Sequence, residues 1–160
     1  TKAREAAITI CASTATIRPV RLNFDGVEGG EAAVEAWSRP RKLRKLVSID
    51  TAVSAEEGMQ AVLEKGPYAV VISDMRMPHM NGTRFLTQVR AAHPDTVRMI
   101  LSGQADIDST IAAINDAQIF RFLIKPCSGE HLVSAVEAAL QQFARNQTVR
   151  ALLSAAETVE

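Results

Sequence analysis

The chain has 160 residues, 18 basic against 18 acidic side chains, and a composition that is 47% hydrophobic but 4% aromatic. That length suits one ordinary domain whose core must be built from Val, Ile, Leu, Ala and Met. The balanced charge argues against a global basic field for nucleic acid and against the acidic excess of a disordered chain, and no apolar run is long enough to span a bilayer.

Residues 1–42 carry weak patterns. Ala6-Ala7-Ile8-Thr9-Ile10-Cys11 and Val20-Arg21-Leu22-Asn23-Phe24 each have strand composition, the second closing at Asp25-Gly26. Gly29-Gly30 interrupts, Glu31 to Trp37 has helix-forming residues, and Pro40 ends them. From Leu43 the signals sharpen. Leu46 to Val53 alternates loosely as a strand near a sheet edge. Ser54-Ala55-Glu56-Glu57 is a capping box that opens a helix with Met59, Val62 and Leu63 on its apolar face and Gly66-Pro67 at its end. Ala69-Val70-Val71-Ile72-Ser73-Asp74 then reads as a strand buried on both faces that ends in a carboxylate, with Pro78 close behind.

Asn81-Gly82 turns the chain into a helix with Phe85, Leu86 and Val89 as its buried stripe, and His93-Pro94-Asp95 breaks it. Val97 to Leu101 is the next strand, ending at Ser102-Gly103. A helix follows over about Asp106 to Asp116, with Ile107, Ile111 and Ile114 at helical spacing. Ile119 to Ile124 is a last strand, ending at Lys125-Pro126. A longer helix opened by Ser128 is lined by Leu132, Val136, Leu140 and Phe143, and a polar continuation runs from Arg145 to Glu160. Strand and helix alternate with short connections, which demands parallel pairing, right-handed crossovers and helices on both sheet faces. The expected organisation is an atypical segment over 1–42, a domain over 43–145 and a helical tail or linker over 146–160.

Three successive strands thus end in Asp74, Ser102 and Lys125. Ligands of open α/β sheets bind beyond the carboxyl ends of the strands, and neighbouring strands lie about 4.8 Å apart. A carboxylate, a hydroxyl and an ammonium on adjacent strands would share one small anion. The carboxylate is a nucleophile toward a phosphoryl group, and the other two supply donors to the transferring oxygens. A divalent, oxygen-preferring cation such as Mg²⁺ is expected between carboxylate and phosphoryl group.

These residues carry a resemblance. Ile72-Ser73-Asp74-Met75-Arg76-Met77-Pro78-His79-Met80-Asn81-Gly82 is similar to the phosphoacceptor segment of two-component response-regulator receiver domains. Leu101-Ser102-Gly103 and Phe122-Leu123-Ile124-Lys125-Pro126 fall where that family has its hydroxyl and its lysine, so the match covers about Leu43 to Phe143. The resemblance implies a flavodoxin-like, doubly wound, five-stranded parallel sheet. It also implies Asp74 as acceptor of phosphate from a sensor histidine kinase and the Arg76 backbone carbonyl as a Mg²⁺ ligand. Ser102 and Lys125 would bind the phosphoryl oxygens, Ser102 and Phe122 would act as switch residues, and Lys125-Pro126 would be a cis peptide. The wording Ile119-Phe120-Arg121-Phe122 resembles receivers joined to cyclic-dinucleotide phosphodiesterase domains.

The N-terminal segment departs from the family. Receivers have an acidic Mg²⁺-binding pair after their first strand, and no Asp-Asp or Glu-Asp precedes Asp74. Asp25, after a plausible strand, is the first substitute; Glu31, at about the family's spacing, is the second. An out-of-frame start is a further explanation. The main alternative to a phosphoacceptor is a degenerate pseudo-receiver, a phosphorylation-independent interaction module; a flavodoxin-like enzyme or nucleotide binder lacks a Gly-rich phosphate loop.

Other residues invite plainer readings. His79 reads as a solvated loop residue, His93 and His131 as structural, and Arg41-Lys42 with Arg44-Lys45 as a solvated face. Cys11 and Cys127 form no C-x-x-C, so neither a zinc site nor a disulfide framework is indicated. Thr1-Lys2-Ala3-Arg4-Glu5 is unlike a signal peptide, and the expected setting is cytoplasmic. Expected partners are the kinase, an output domain or downstream protein, and a second copy of the chain, with no direct nucleic-acid or membrane contact.

Overall fold

In the computed structural model, residues 8–10, 20–22, 49–50, 52, 54–75, 80–102, 115–124 and 129–159 are described. They form strands β1 (Ile8–Ile10), β2 (Val20–Leu22), β3 (Ile49–Asp50), β4 (Val70–Asp74), β5 (Val97–Ser102) and β6 (Arg121–Ile124). The helices are α1 (Ala55–Lys65), α2 (Gly82–Ala92) and α3 (Gly129–Glu157), and residues 115–117 are also helical.

The six strands make one sheet in the order β3-β2-β1-β4-β5-β6, with β2 also pairing directly with β4. Five of them follow the parallel plan. The sixth, β1, runs antiparallel to both β2 and β4, pairing Thr9 with Arg21 on one side and Val71 on the other. Among the described residues the strands number six rather than the expected five, and the extra strand, β1, comes from the N-terminal segment. Beyond β1, Leu22 pairs with Ile72, so β2 and β4 run side by side toward their carboxyl ends.

β4 and β5 are buried at every position. Successive strand side chains point to opposite faces, so both faces of this central pair are covered. The core around Ile72, Met99, Ile100 and Leu101 takes Val62 from α1, Phe85, Leu86 and Val89 from α2, and Leu132, Val136 and Phe143 from α3. α1 approaches α2 closely enough that a Cβ on Gly58 would lie 2.9 Å from the Phe85 ring.

Local chemistry sets the helix ends. The Ser54 hydroxyl accepts the Glu57 amide at 3.1 Å, the N-cap the sequence specifies. Gly66 closes α1 with its amide on the Val62 carbonyl, 3.1 Å away. Asn81 is the N-cap of α2, accepting the Arg84 amide at 2.8 Å, so Asn81-Gly82 is a helix start rather than a free turn. Leu63 is corrected: it is 65% exposed, and Ala55, Gly58 and Ala61 share the buried face with Val62 instead. β6 begins at Arg121, two residues later than the pattern suggests, and lies at the sheet edge with Ile124 half exposed.

One cation is buried inside β5. Arg98 is 6% exposed, and its guanidinium donates to the carbonyls of Ala117 at 2.8 Å and Thr96 at 2.7 Å. Burial, then the charge of Arg90, pushes its pKa down to about 10. Gln118 follows the helical residues 115–117 in the left-handed region at φ 48°, a usual way to end a helix. Arg98 gathers the carbonyls that this ending leaves open, while Arg90 reaches the Asp116 carbonyl at 3.2 Å.

Leu86 is fully buried against the sheet. Leu86→Ala is therefore expected to cost about 2–5 kcal/mol in urea unfolding. Leu63→Glu should change stability by less than about 0.5 kcal/mol, since its side chain is in water. Equal effects from the two would contradict the assignment of the α1 and α2 faces.

Candidate functional site

The carboxyl ends of β4, β5 and β6 lie side by side. Asp74, the last residue of β4, pairs with Leu101, and Ser102 pairs with Ile124. Ser102 is thus one position beyond the partner of Asp74, and Lys125 is the residue after the partner of Ser102. β5 runs one residue past the level of Asp74, and β6 ends level with Ser102.

Asp74 is 2% exposed and Ser102 4% exposed, so both polar side chains sit where water is scarce. A buried carboxylate is costly unless its surroundings supply hydrogen bonds or charge. Both residues are engaged with other groups of the protein. Beneath them the backbone is fixed. The Ser73 hydroxyl donates to the Asp74 carbonyl at 2.9 Å, and the Met75 amide donates to the Leu101 carbonyl at 3.0 Å, continuing the β4–β5 ladder one step past the strand.

α2 starts directly above this point. Its first residue, Gly82, donates its amide to the Met75 carbonyl at 2.8 Å. A Cβ on Gly82 would overlap the Asp74 carbonyl oxygen and lie 2.9 Å from the carbonyl carbon. Glycine is required here by close approach of two backbones, not by an unusual φ. The contact brings the positive end of α2 to the backbone of Asp74, where it favours negative charge. The Thr83 hydroxyl, at 3.4 Å from the Met75 sulfur, adds a side-chain contact between the two segments. Sequence reasoning missed this role of Gly82; the signal was the glycine next to Asn81, eight residues after Asp74.

Phe122 is partly buried against the core and pairs with Ile100. His93 caps α2, its Nε2 being 3.2 Å from the Val62 carbonyl oxygen, and His131 is exposed. Asp25, Glu31, Arg76, His79, Lys125, Pro126, Cys11, Cys127, the Arg41 to Lys45 cluster and Ile107 to Ile114 lie outside the described residues.

Among the described residues no group of three or more His, Cys, Asp or Glu could hold a metal. Asp50, at the end of β3, is not near Asp74 in register: it pairs with Arg21, whose level on β4 is Val71. A buried carboxylate such as that of Asp74 is a ligand type Mg²⁺ takes, since this ion keeps several waters and is often held by one or two carboxylates.

A family model described as the response regulator receiver domain matches residues 27–137. The hydrogenase transcriptional regulatory protein HoxA of Cupriavidus necator is 36% identical over 89 residues, covering 56% of this chain and 18% of that protein. Among solved structures, the signal receiver domain of an HD domain-containing protein from Pseudomonas fluorescens Pf-5 is 30% identical, with a TM-score of 0.57 over 61% of this chain and 71% of that one. An adenylate cyclase structure from Rhodopirellula baltica gives a TM-score of 0.70 at 29% identity, covering 78% of this chain and 90% of that chain. The chain spans about a fifth of the length of the curated relatives it matches. Because those relatives are regulators of this type, the matches do not favour the phosphorylation-independent alternative.

Gly82→Ala tests the backbone contact. It is expected to destabilise the fold by roughly 1–3 kcal/mol, the cost of overpacking, and to shift the amide resonances of Asp74 and Met75. A variant with unchanged unfolding midpoint and unmoved resonances would show that α2 does not bear on Asp74.

Proposed function

The chain belongs to the response-regulator receiver-domain family, and on that premise we propose that Asp74 accepts a phosphoryl group from a phosphohistidine of a sensor histidine kinase. The acyl phosphate would switch a surface read by an output domain or a downstream protein. The observation that carries this reading is Asp74 itself, a nearly fully buried carboxylate at the end of β4, one register step from Ser102.

The transfer is a displacement at phosphorus. An Asp74 carboxylate oxygen attacks as the P–N bond breaks, and the bonding pair leaves on the imidazole nitrogen, which takes up a proton from solvent. The enclosed carboxylate is held in place by the β4–β5 ladder, so little reorganisation accompanies attack. The Ser102 hydroxyl donates to one phosphoryl oxygen, and the Lys125 ammonium, next after Ile124, pairs with another. Movement of Ser102 toward the phosphate, with Phe122 following into the space beside β5, would couple the modification to the surface.

Mg²⁺, when bound, neutralises charge between the carboxylate and the incoming phosphoryl oxygens. Asp74, the Arg76 backbone carbonyl and one further carboxylate would hold it. Asp25 is supported by β2, which runs parallel beside β4 and ends at Leu22, three residues before Asp25, level with Ile72, two residues before Asp74. Glu31 is supported by the family match, which begins at residue 27 and so includes Glu31 and excludes Asp25. β2 is the structural feature at this edge, and Asp25 remains the first choice.

The test is labelling by acetyl phosphate or beryllofluoride in Mg²⁺. Asp74→Asn should abolish labelling while the thermal unfolding curve keeps its cooperativity; label that persists undiminished on another residue would sink the assignment. Asp25→Ala should weaken Mg²⁺ binding and Glu31→Ala should not, as followed by the Asp74 amide in an NMR titration. The reverse result would move the ligand to Glu31.

Lys125→Ala separates the two kinds of positive charge. Removing the ammonium is expected to leave Mg²⁺ affinity equal or higher, because a like charge is gone, while slowing phosphorylation by about tenfold or more, as loss of a transition-state donor does. Lost Mg²⁺ binding in a normally folded variant would contradict the role given to Lys125.

A further inference from the structure

Beside the amino end of β5, at the opposite end of the sheet from Asp74, α3 overhangs the body and leaves an open cleft. Its volume is about 530 Å³, within the roughly 300–1,000 Å³ of small-molecule sites. Pro94, Arg98 and Gln118 line the side formed by the body, and Val149, Leu153 and Glu157 the side formed by α3. Those helix positions recur at intervals of four and so share one face. Asp95 holds the helix over the cleft. The Arg150 guanidinium makes a two-point ion pair with its carboxylate, through Nε to Oδ2 and through Nη2 to Oδ1 at 3.0 Å. Asn146 Nδ2 donates to the Asp95 carbonyl at 3.0 Å.

The buried Arg98 is unevenly bonded. Its short bonds, from Nε to the Ala117 carbonyl at 2.8 Å and from Nη1 to the Thr96 carbonyl at 2.7 Å, run to residues outside the cleft lining. Toward the lining residues its contacts are long: 3.4 Å from Nη1 to the Pro94 carbonyl and 3.5 Å from Nη2 to the Gln118 carbonyl. Hydrogen bonds of full strength are about 2.7–3.2 Å long. Among the described residues every partner of this guanidinium is a carbonyl, which accepts a hydrogen bond but brings no net charge. A buried cation is ordinarily paired with an anion. A carboxylate meets a guanidinium through two parallel bonds, and Nη1 and Nη2, the loosely bonded pair, form such a fork.

The rest of the lining selects what the carboxylate is attached to. Val149 and Leu153, 55% and 61% exposed, stand with Pro94 as an apolar wall in the same cleft as the guanidinium. Asp95 and Arg150 neutralise each other, so the remaining charges of the cleft are Arg98 and the exposed Glu157. Glu157 repels a second negative charge on a ligand. Phosphate and other polyanions are disfavoured on this ground, and a singly charged acid with an apolar body is not.

We propose that this cleft binds a small organic monocarboxylate, its carboxylate on Nη1 and Nη2 of Arg98 and its apolar body against Val149 and Leu153. The site is separate from Asp74 and makes no use of phosphoryl chemistry.

The test titrates hexanoate, hexanamide and inorganic phosphate into the full chain, followed by NMR at the Gln118 and Leu153 amides and the Arg98 Nε–H. Hexanoate should give saturable shifts. Hexanamide, of the same length but uncharged, should bind about tenfold or more weakly, and phosphate should leave the resonances unmoved. Leu153→Glu should weaken hexanoate binding by about tenfold or more with an unchanged unfolding midpoint, because this side chain is in water. Arg98→Lys keeps the charge but loses the fork and should also weaken hexanoate; if that variant does not fold, Leu153→Glu decides. An absence of saturable shifts with hexanoate up to tens of millimolar would overturn the proposal. So would equal binding of hexanamide or phosphate, or a hexanoate affinity that ignores Leu153→Glu.

Discussion

Everything at the working edge depends on one constraint: β4 must be dry on both faces and yet end in a carboxylate. Val70 to Ile72 are essentially inaccessible, and the burial continues without a break through Ser73 to Asp74. Removing a carboxylate from water is expensive, so the fold must keep charge and hydrogen-bond donors close by. Around it the β4–β5 ladder extends to Met75, and the start of α2 docks on the Asp74 backbone at Gly82. The site is therefore part of the core's architecture rather than an addition to its surface.

The two ends of the sheet divide the labour. At the carboxyl ends, the buried Asp74 and Ser102 stand on adjacent strands, one register step apart. At the other end, polar side chains organise backbone and helices: Arg98 collects carbonyls where residues 115–117 end, and Asp95 fastens the extension of α3. Arg98 spans these roles, because its backbone lies in the buried ladder beside Val71 while its guanidinium holds the end of helical residues 115–117. A guanidinium suits that task, since its planar fork presents several donors at fixed angles and stays charged despite burial.

Family membership defines a phosphoacceptor module of signal transduction, and the chain covers about a fifth of the regulators it resembles. Such a module needs a site that changes charge and a surface that reports the change. Here Asp74 and Ser102 are buried, whereas the α3 extension is exposed and tied back through Asp95 to Arg150 and Asn146. Among the described residues, no helix is long and apolar enough to cross a membrane.

Much of this was legible in the sequence because it is local or periodic. The unbroken apolar run before Asp74, the Ser54 cap, the Phe85-Leu86-Val89 stripe and the placement of Asp74 and Ser102 at adjacent strand ends all follow from spacing along the chain. A parallel sheet then brings successive strand ends together without further information. What the sequence did not reveal involves partners distant along the chain. Leu63 fits a helical stripe, but the body covers Ala61 and Val62 instead. β1 fits a strand, but its antiparallel direction comes from the neighbours it pairs with. Gly82 resembles any turn glycine until the Asp74 backbone is set against it, and Asp95 resembles a loop residue until Arg150, on another element, reaches it. Local patterns determine which elements form and which residues stand at their ends; only tertiary packing decides which faces are covered, because burial is a property of what a segment meets rather than of the segment itself.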